Sequence, residues 1–249
     1  MFTAHPLIDG FPGKSATHGA FGWSSLWLLR DTEHVILVDT GPPAYAALIP
    51  ALLARHGVTA ADVTDVLLTH AHWDHLGNLT SFPAARVSIG DVELTWAAGQ
   101  PPGAHYLSDL HTQELLRRER RADAPTVRLR DGGEALPGIT AIQVPGHTPG
   151  HLAFLAATDR GPMILAGDAV KNVRELATAR VDSSLDHDAS GRSVDRLRSL
   201  MRDTGAVIAP GHDVLLRLEG ERVERVSAGF AQITYFASPD EEAQDRSIG

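Results

Sequence analysis

The 249-residue sequence predicts an α+β fold of two strand-rich halves, each with its own helices, an order that fits a four-layer αβ/βα sandwich. Three observations lead there. Short aliphatic, β-branched runs recur along the chain, at Val35–Val38, 63–70, 162–167 and 206–209. Stretches with helix-forming composition lie between them, at 44–56, 91–98 and 191–203. Hydrophobic residues make up 43% of the chain, enough for one large domain over 1–249 with a full core.

The elements follow in order. Residues 21–29 and 35–38 read as strands joined by a turn at Asp31 and Thr32. Residues 44–56 are rich in Ala and Leu and read as a helix that Pro50 kinks or restarts, with Gly57 as its stop. The run 63–70 reads as a buried strand, and a short helix opens from Asp74 or His75. A short strand at 86–89 and a helix at 91–98 come next, then a polar helical insertion near 104–122. Strands are expected at 126–130, 139–144, 151–157 and 162–167, a helix at 191–203, and strands at 206–209 and 213–218. The tail after about 238 is polar and expected to be loose. No internal repeat of fixed period is present.

Composition narrows the function classes. With 22 basic and 31 acidic side chains the net charge is −9, which works against binding long polyanions, so nucleic acid is not the expected partner. The cluster Arg117, Arg118, Arg120 and Arg121 is interleaved with Glu114 and Glu119, and reads as a solvated helix face with internal ion pairs. There is no cysteine, hence no disulfide and no thiolate metal ligand. No apolar run of 18 residues suggests a membrane span, and the N-terminus lacks a basic start and an apolar stretch. A cytoplasmic protein is the expectation. Oligomeric state is left open, a dimer being among the options.

The chemistry concentrates in Thr69-His70-Ala71-His72-Trp73-Asp74-His75, four potential metal ligands within six residues. Imidazoles and a carboxylate together suit a borderline divalent cation, zinc first. His70 and His72 alternate along an extended backbone and so point the same way, and the following turn returns Asp74 and His75 to the same spot. Three further candidates each lie just beyond a predicted strand. They are His147 in Pro145-Gly146-His147-Thr148-Pro149-Gly150-His151, Asp168 after Ala166-Gly167, and His212 after Pro210-Gly211. A sheet whose strands all deliver ligands at one edge builds a site on rigid elements.

This motif set, with Val35–Val38 and Asp39-Thr40-Gly41 before it, resembles the metallo-β-lactamase superfamily, and the likeness runs to His212. The resemblance implies that superfamily's four-layer sandwich. It also implies that His70, His72 and His147 bind one metal, that Asp74, His75 and His212 bind a second, and that Asp168 bridges them. Zinc is expected in both places, with manganese, iron or cobalt as options. Relatives that hold di-iron for oxygen chemistry carry a Glu where this chain has His72, so a redox role is not expected.

Two divalent cations lower the pKa of a shared water toward about 7, so the expected reaction is hydrolysis by attack of a metal-bound hydroxide, with Asp74 and Asp168 handling its proton. The expected substrate is a small ester-like molecule: a lactone, ester or thioester. A phosphodiesterase or nuclease, and a non-enzymatic metal-binding relative, are the alternatives. The chain looks most like N-acyl homoserine lactonases, with one departure: those enzymes place a Tyr three residues after the bridging Asp, where this chain has Lys171. Lys171 is taken as a catalytic candidate that supplies positive charge to an oxyanion or an anionic substrate group, or else points to solvent. Asp39 reads equally as a turn carboxylate or as the partner of a ligand histidine. His151 is surplus to the seven ligands and reads as a supporting or structural group. His105 and Tyr106 either overhang the site or lie on the surface; the same choice holds for His187. Trp23 and Trp27 read as core or pocket wall, and Trp73 as packing on the ligands or forming the pocket floor.

Overall fold

A computed structural model describes residues 1–17, 19–228, 231–235 and 244–248. The N-terminal half contributes β1 (Thr3–Ile8), a short hairpin of β2 (Lys14–Ser15) and β3 (Gly19–Ala20), then β4 (Leu26–Arg30), β5 (Val35–Val38), β6 (Asp65–Leu67), β7 (Arg86–Gly90) and β8 (Thr126–Leu129). Six of these form one sheet in the order β1-β4-β5-β6-β7-β8. Its first two pairs, β1·β4 and β4·β5, are antiparallel and the rest parallel. The C-terminal half contributes β9 (Glu134–Leu136), β10 (Ile139–Gln143), β11 (Leu152–Thr158), β12 (Gly161–Gly167), β13 (Val207–Pro210), β14 (Leu216–Glu219) and β15 (Arg222–Arg225). They form a second sheet in chain order, with only β12·β13 parallel. Strands β16 (Ala231–Tyr235) and β17 (Gln244–Ile248) pair as a hairpin. The expected loose tail therefore includes a paired strand at its end, while residues 236–243 and 249 lie outside the described residues.

The helices are α1 (Ile49–Ala54), α2 (Trp73–Leu76), α3 (Asp91–Ala98), α4 (Asp109–Arg118), α5 (Val173–Thr178) and α6 (His187–Thr204). Strand alternation sorts the core into layers. In β4, Trp27 and Leu29 face the second sheet, where they join Ile139, Phe154 and Leu165. Leu28 faces the other way, with Leu37 and Val66, onto Ile49 and Leu53 of α1, Leu94 of α3 and Leu115 of α4. On the far side, Ile142, Ile164 and Ile208 pack on Leu176 of α5 and on Val194, Leu197 and Met201 of α6. The result is an αβ/βα sandwich. No described helix is long and apolar enough to cross a membrane.

Several boundaries differ from the sequence reading for identifiable reasons. The 44–56 helix is split: a 3₁₀ turn covers Pro43–Tyr45 and α1 begins at Ile49, with Pro50 in its first turn, where a missing N–H is harmless. The 104–122 insertion shortens to a 3₁₀ turn at Ala104–Tyr106 followed by α4. Helix α6 starts four residues early, because the Asp186 carboxylate caps it by accepting from the Ala189 amide at 2.9 Å. The arginine cluster is not wholly solvated. Arg118 is 1% exposed and donates to the Phe82 and Ala85 carbonyls, each at 3.2 Å, while pairing with Glu114 at 2.7 Å.

Candidate metal centre

Strands β10, β12 and β13 run in one direction and end at one edge of their sheet. The residues beyond those ends are His147, Asp168 and His212. The end of β6, in the other sheet, is drawn to the same place by a bond from the Leu152 amide to the Thr69 carbonyl at 2.9 Å. His72 keeps an extended backbone (φ −70°, ψ 148°) and caps α2, so His70 and His72 project together before the helical turn returns Asp74 and His75.

The seven predicted side chains converge. Ligand atoms of His70, His72 and His147 lie within 4.8 Å of one another, as do those of Asp74, His75 and His212, and of His70, His75 and Asp168. Asp168 reaches both halves. Its Oδ2 is 3.3 Å from His147 Nε2, while its Oδ1 is 3.2 Å from His75 Nε2 and 3.3 Å from His212 Nε2. Asp74 Oδ2 is 3.7 Å from His75 Nε2 and 3.6 Å from His212 Nε2.

Surrounding groups fix the imidazole tautomers. Asp39, held at φ 61°, accepts from the Thr69 amide and hydroxyl and from His75 Nδ1 at 2.7 Å. Because the Thr69 hydroxyl donates to Asp39, its oxygen accepts from His70 Nδ1 at 3.0 Å. His147 Nδ1 donates to the Ser183 carbonyl at 2.9 Å. His70 and His147 thus turn an unprotonated Nε2 into the cluster, and the bond from its Nδ1 to Asp39 aims the Nε2 of His75 the same way. The His70 Nε2 is buried with no hydrogen-bond partner, an orphan that a cation would satisfy. Five imidazoles and two carboxylates, all nitrogen and oxygen donors, fit a pair of divalent cations.

The electrostatics are uneven across the cluster. Burial, reinforced by neighbouring imidazoles, holds His70 well below the usual histidine range. Burial likewise outweighs the pull of Asp168 on His72, lowered to about 4, and on His147. At His75 burial acts the same way, but Asp74, Asp168 and Asp39 overcome it and hold the imidazole well above its usual range. His212 is raised against its burial by Asp168. Burial opposes ionisation of Asp168, yet His212, His75 and His147 keep its carboxyl well below the carboxylate range. The centre is therefore built from neutral imidazoles on one side and imidazoles in the field of anions on the other.

The remaining candidates separate. His151 is fully buried, stacks on His70 at 4.6 Å, and its Nε2 accepts from the Asp168 amide at 3.1 Å, so it supports the backbone that presents Asp168. Lys171 is largely buried; its Nζ lies 3.1 Å from Glu175 Oε1, and its charge helps to depress His72 and His147. The Tyr106 ring stands 6.0 Å from that of His72, and Leu107 bridges to His72, so this segment flanks the centre. His187 is exposed at the start of α6, bonded to the Val181 carbonyl rather than to the cluster. Trp27 is buried between the sheets. Trp73 is 45% exposed instead of forming a floor, because α2 turns it outward while His75 and Leu76 turn in.

Of the buried acids that sequence reading missed, two hold loops of the centre. Glu93 accepts from the Ala71 and Gly150 amides at 2.9 and 3.1 Å. Glu175 accepts from the Lys171 and Asp182 amides at 2.8 and 3.0 Å. For Glu93 a signal existed: it shares a buried helix face with Leu94 and Ala97, and a carboxylate in an apolar stripe marks a specific partner.

The family model of the metallo-beta-lactamase superfamily matches residues 21–212, a span that contains all seven converging side chains. The chain belongs to the metallo-beta-lactamase superfamily. Its relatives include an N-acyl homoserine lactonase of Bacillus sp, 24% identical over 212 residues, covering 76% of this chain and 80% of the relative. Metallo-beta-lactamase domain-containing protein 1 of Xenopus laevis is 30% identical over 167 residues, covering 67% and 62%. Among solved structures, AidC, a dizinc quorum-quenching lactonase in complex with a product, superposes with a TM-score of 0.67 at 20% identity, covering 84% of this chain and 80% of that one. At that identity the superposition establishes the shared fold alone. The centre is compatible with a dinuclear metal hydrolase acting on a small substrate.

Proposed function

We propose that this protein hydrolyses a small ester-like substrate, a lactone, ester or thioester, at a dinuclear metal centre. One observation carries the reading: the two oxygens of Asp168 contact imidazoles of both ligand groups. His70, His72 and His147 would hold one cation, Asp74, His75 and His212 the other, and Asp168 both. Zinc is our first assignment, supported by the donor set. When bound, the cations would polarise the substrate carbonyl and acidify a shared water.

The chain's own groups set the rest. Asp74 is more exposed than Asp168, with 22% of its side chain open against 6%, which supports assigning its carboxylate the task of taking a proton from the attacking water and passing it to the leaving oxygen. Lys171 stands where the related lactonases carry a Tyr, and we assign it the task of holding an anionic substrate group or the developing oxyanion. Glu175 fixes that Lys by accepting from its amide and forming an ion pair with its ammonium.

The relatives named as lactonases favour an ester or lactone over a phosphodiester, and so does the net charge of −9. A cytoplasmic small-molecule hydrolase is the corresponding cellular reading. Metal-replete protein should be screened against lactones, thioesters, aryl esters and bis-p-nitrophenyl phosphate, with metal content measured in parallel. Turnover of the carbonyl substrates with two equivalents of metal is expected. Turnover of the phosphodiester alone, or a stoichiometry fixed at one, would overturn the reading.

A further inference from the structure

We infer that Glu93 is a positioning residue that ties the two histidine-bearing loops together and thereby sets the geometry of the half-site formed by His70, His72 and His147. The inference rests on the dinuclear reading above. Glu93 lies in the first turn of α3 and is 0% exposed. Its Oε1 accepts from the amide of Ala71, the residue between His70 and His72. Its Oε2 accepts from the amide of Gly150, which lies between His147 and His151. One loop follows β6 in the first sheet and the other joins β10 to β11 in the second. A single carboxylate thus spans both sheets at the point where they present the three imidazoles.

The packing around it leaves no slack. A Cβ on Gly150 would lie 2.0 Å from the Glu93 nitrogen and 2.5 Å from its Cα, and a Cβ on Gly90 would lie 2.5 Å from the Gly150 oxygen. Helix α3 is therefore seated directly on the backbone of the second loop. The partners of Glu93 are amides rather than cations, and burial pushes its carboxyl up to about 7. An apolar side chain would fill the same space without this desolvation. What the carboxylate adds is two acceptors pointing at two loops, the kind of outer contact that orients ligands from behind.

The test uses the full chain with Glu93→Gln, whose amide offers one acceptor and one donor, so it can satisfy only one of the two N–H groups. Glu93→Asp, one methylene shorter, keeps the acceptors but reaches only one amide, and serves the same readouts if the Gln variant does not fold. In metal-free protein, hydrogen exchange at Ala71 or Gly150 is expected to quicken at least about ten-fold while strand amides of β4 and β12 are unchanged. In zinc titrations against a chromophoric chelator, one equivalent should weaken by roughly 10–100-fold and the other stay near wild type. Wild-type exchange at both amides with two wild-type affinities would overturn the proposal. So would a parallel loss of both equivalents together with faster exchange everywhere, which denotes a general structural role. A wild-type protein that binds fewer than two metals would refute the dinuclear reading instead, and the exchange measurement would still decide whether Glu93 holds the loops.

Discussion

Replacing Gly211 with Ala probes the join between the two half-sites without substituting a ligand. The φ of Gly211 is outside the left-handed region, so Ala is allowed by the backbone. The difficulty is spatial: a Cβ there would lie 2.1 Å from Asp168 Oδ1 and 2.9 Å from the Gly167 carbonyl carbon and oxygen. The loop cannot retreat easily. The Gly211 amide donates to the Gly167 and Val170 carbonyls at 2.9 and 3.0 Å, and its carbonyl accepts from the Ser25 amide at 2.7 Å. The carboxylate must therefore move. A carbon–oxygen contact of about 3.3 Å requires a shift of about 1.2 Å, in the oxygen that faces His75 and His212. A misplacement of that order is expected to lower kcat/KM about 100-fold, equivalent to about 2.7 kcal/mol, and the overpacking should cost about 1–3 kcal/mol of stability. The assay is kcat/KM on the best carbonyl substrate from the screen, with metal content and thermal unfolding on the same preparation. Gly99→Ala is the control, since its Cβ meets nothing nearer than the Trp96 oxygen at 3.5 Å. A Gly211→Ala protein with two equivalents of metal and wild-type turnover would refute the reasoning.

Asp168→Ala removes the carboxylate that both ligand groups share; elemental analysis should find less than the wild-type metal content and the activity assay almost no turnover. Lys171→Ala should keep the metal content and lower kcat/KM roughly ten- to a thousand-fold; near-wild-type rates on both a neutral and a carboxylate-bearing lactone would remove Lys171 from the site. Glu114, held down to about 2 mainly by its bond to Arg117, with Arg118 adding to this against partial burial, has a depressed folded pKa. Its contribution, roughly 1–3 kcal/mol, is therefore present above its ordinary value of 4.5 and lost as pH falls toward 2. The stability gap between wild type and Glu114→Gln in denaturant melts should close over that window, and a gap independent of pH would exclude the ion pair as its source. Chelation should lower Tm, because metal binds the folded chain preferentially: about 4 kcal/mol at a thousand-fold excess over Kd, or roughly 8–16 °C at this chain length. An unchanged Tm would mean that the folded chain does not hold metal in preference to the unfolded one.

Much of this architecture could be read from the chain because metal chemistry restricts residue choice more tightly than packing does. A ligand position accepts His or Asp and little else, so His70 to His75, His147, Asp168 and His212 stand out even before their strands are known. The strands are legible for a related reason: β5, β12 and β13 are buried on both faces, and the aliphatic runs of β12 and β13 end in Gly followed by a ligand. The less legible residues are those whose meaning depends on what packs against them. Arg118 looks like one more surface arginine until α4 is docked; only then does it fall with His111 and Leu115 on the stripe i, i+4, i+7 that faces the sheet. Helix α5 is hard to read because its six residues are too few for a clear period, and its start depends on the Asn172 side chain accepting from the Arg174 and Glu175 amides. Ser183 acts through its carbonyl, which any residue would supply, so no side-chain pattern could reveal it. Glu93 combines both problems. Its helix is plain, but its two acceptors acquire a purpose only when Ala71 and Gly150, 79 residues apart in the chain, arrive on either side of it. The ligands are written in residue types, whereas the scaffold that aims them is written in contacts. Substitutions such as Gly211→Ala and Glu93→Gln, which leave every ligand in place, are therefore the most direct measure of how much of the centre belongs to the fold.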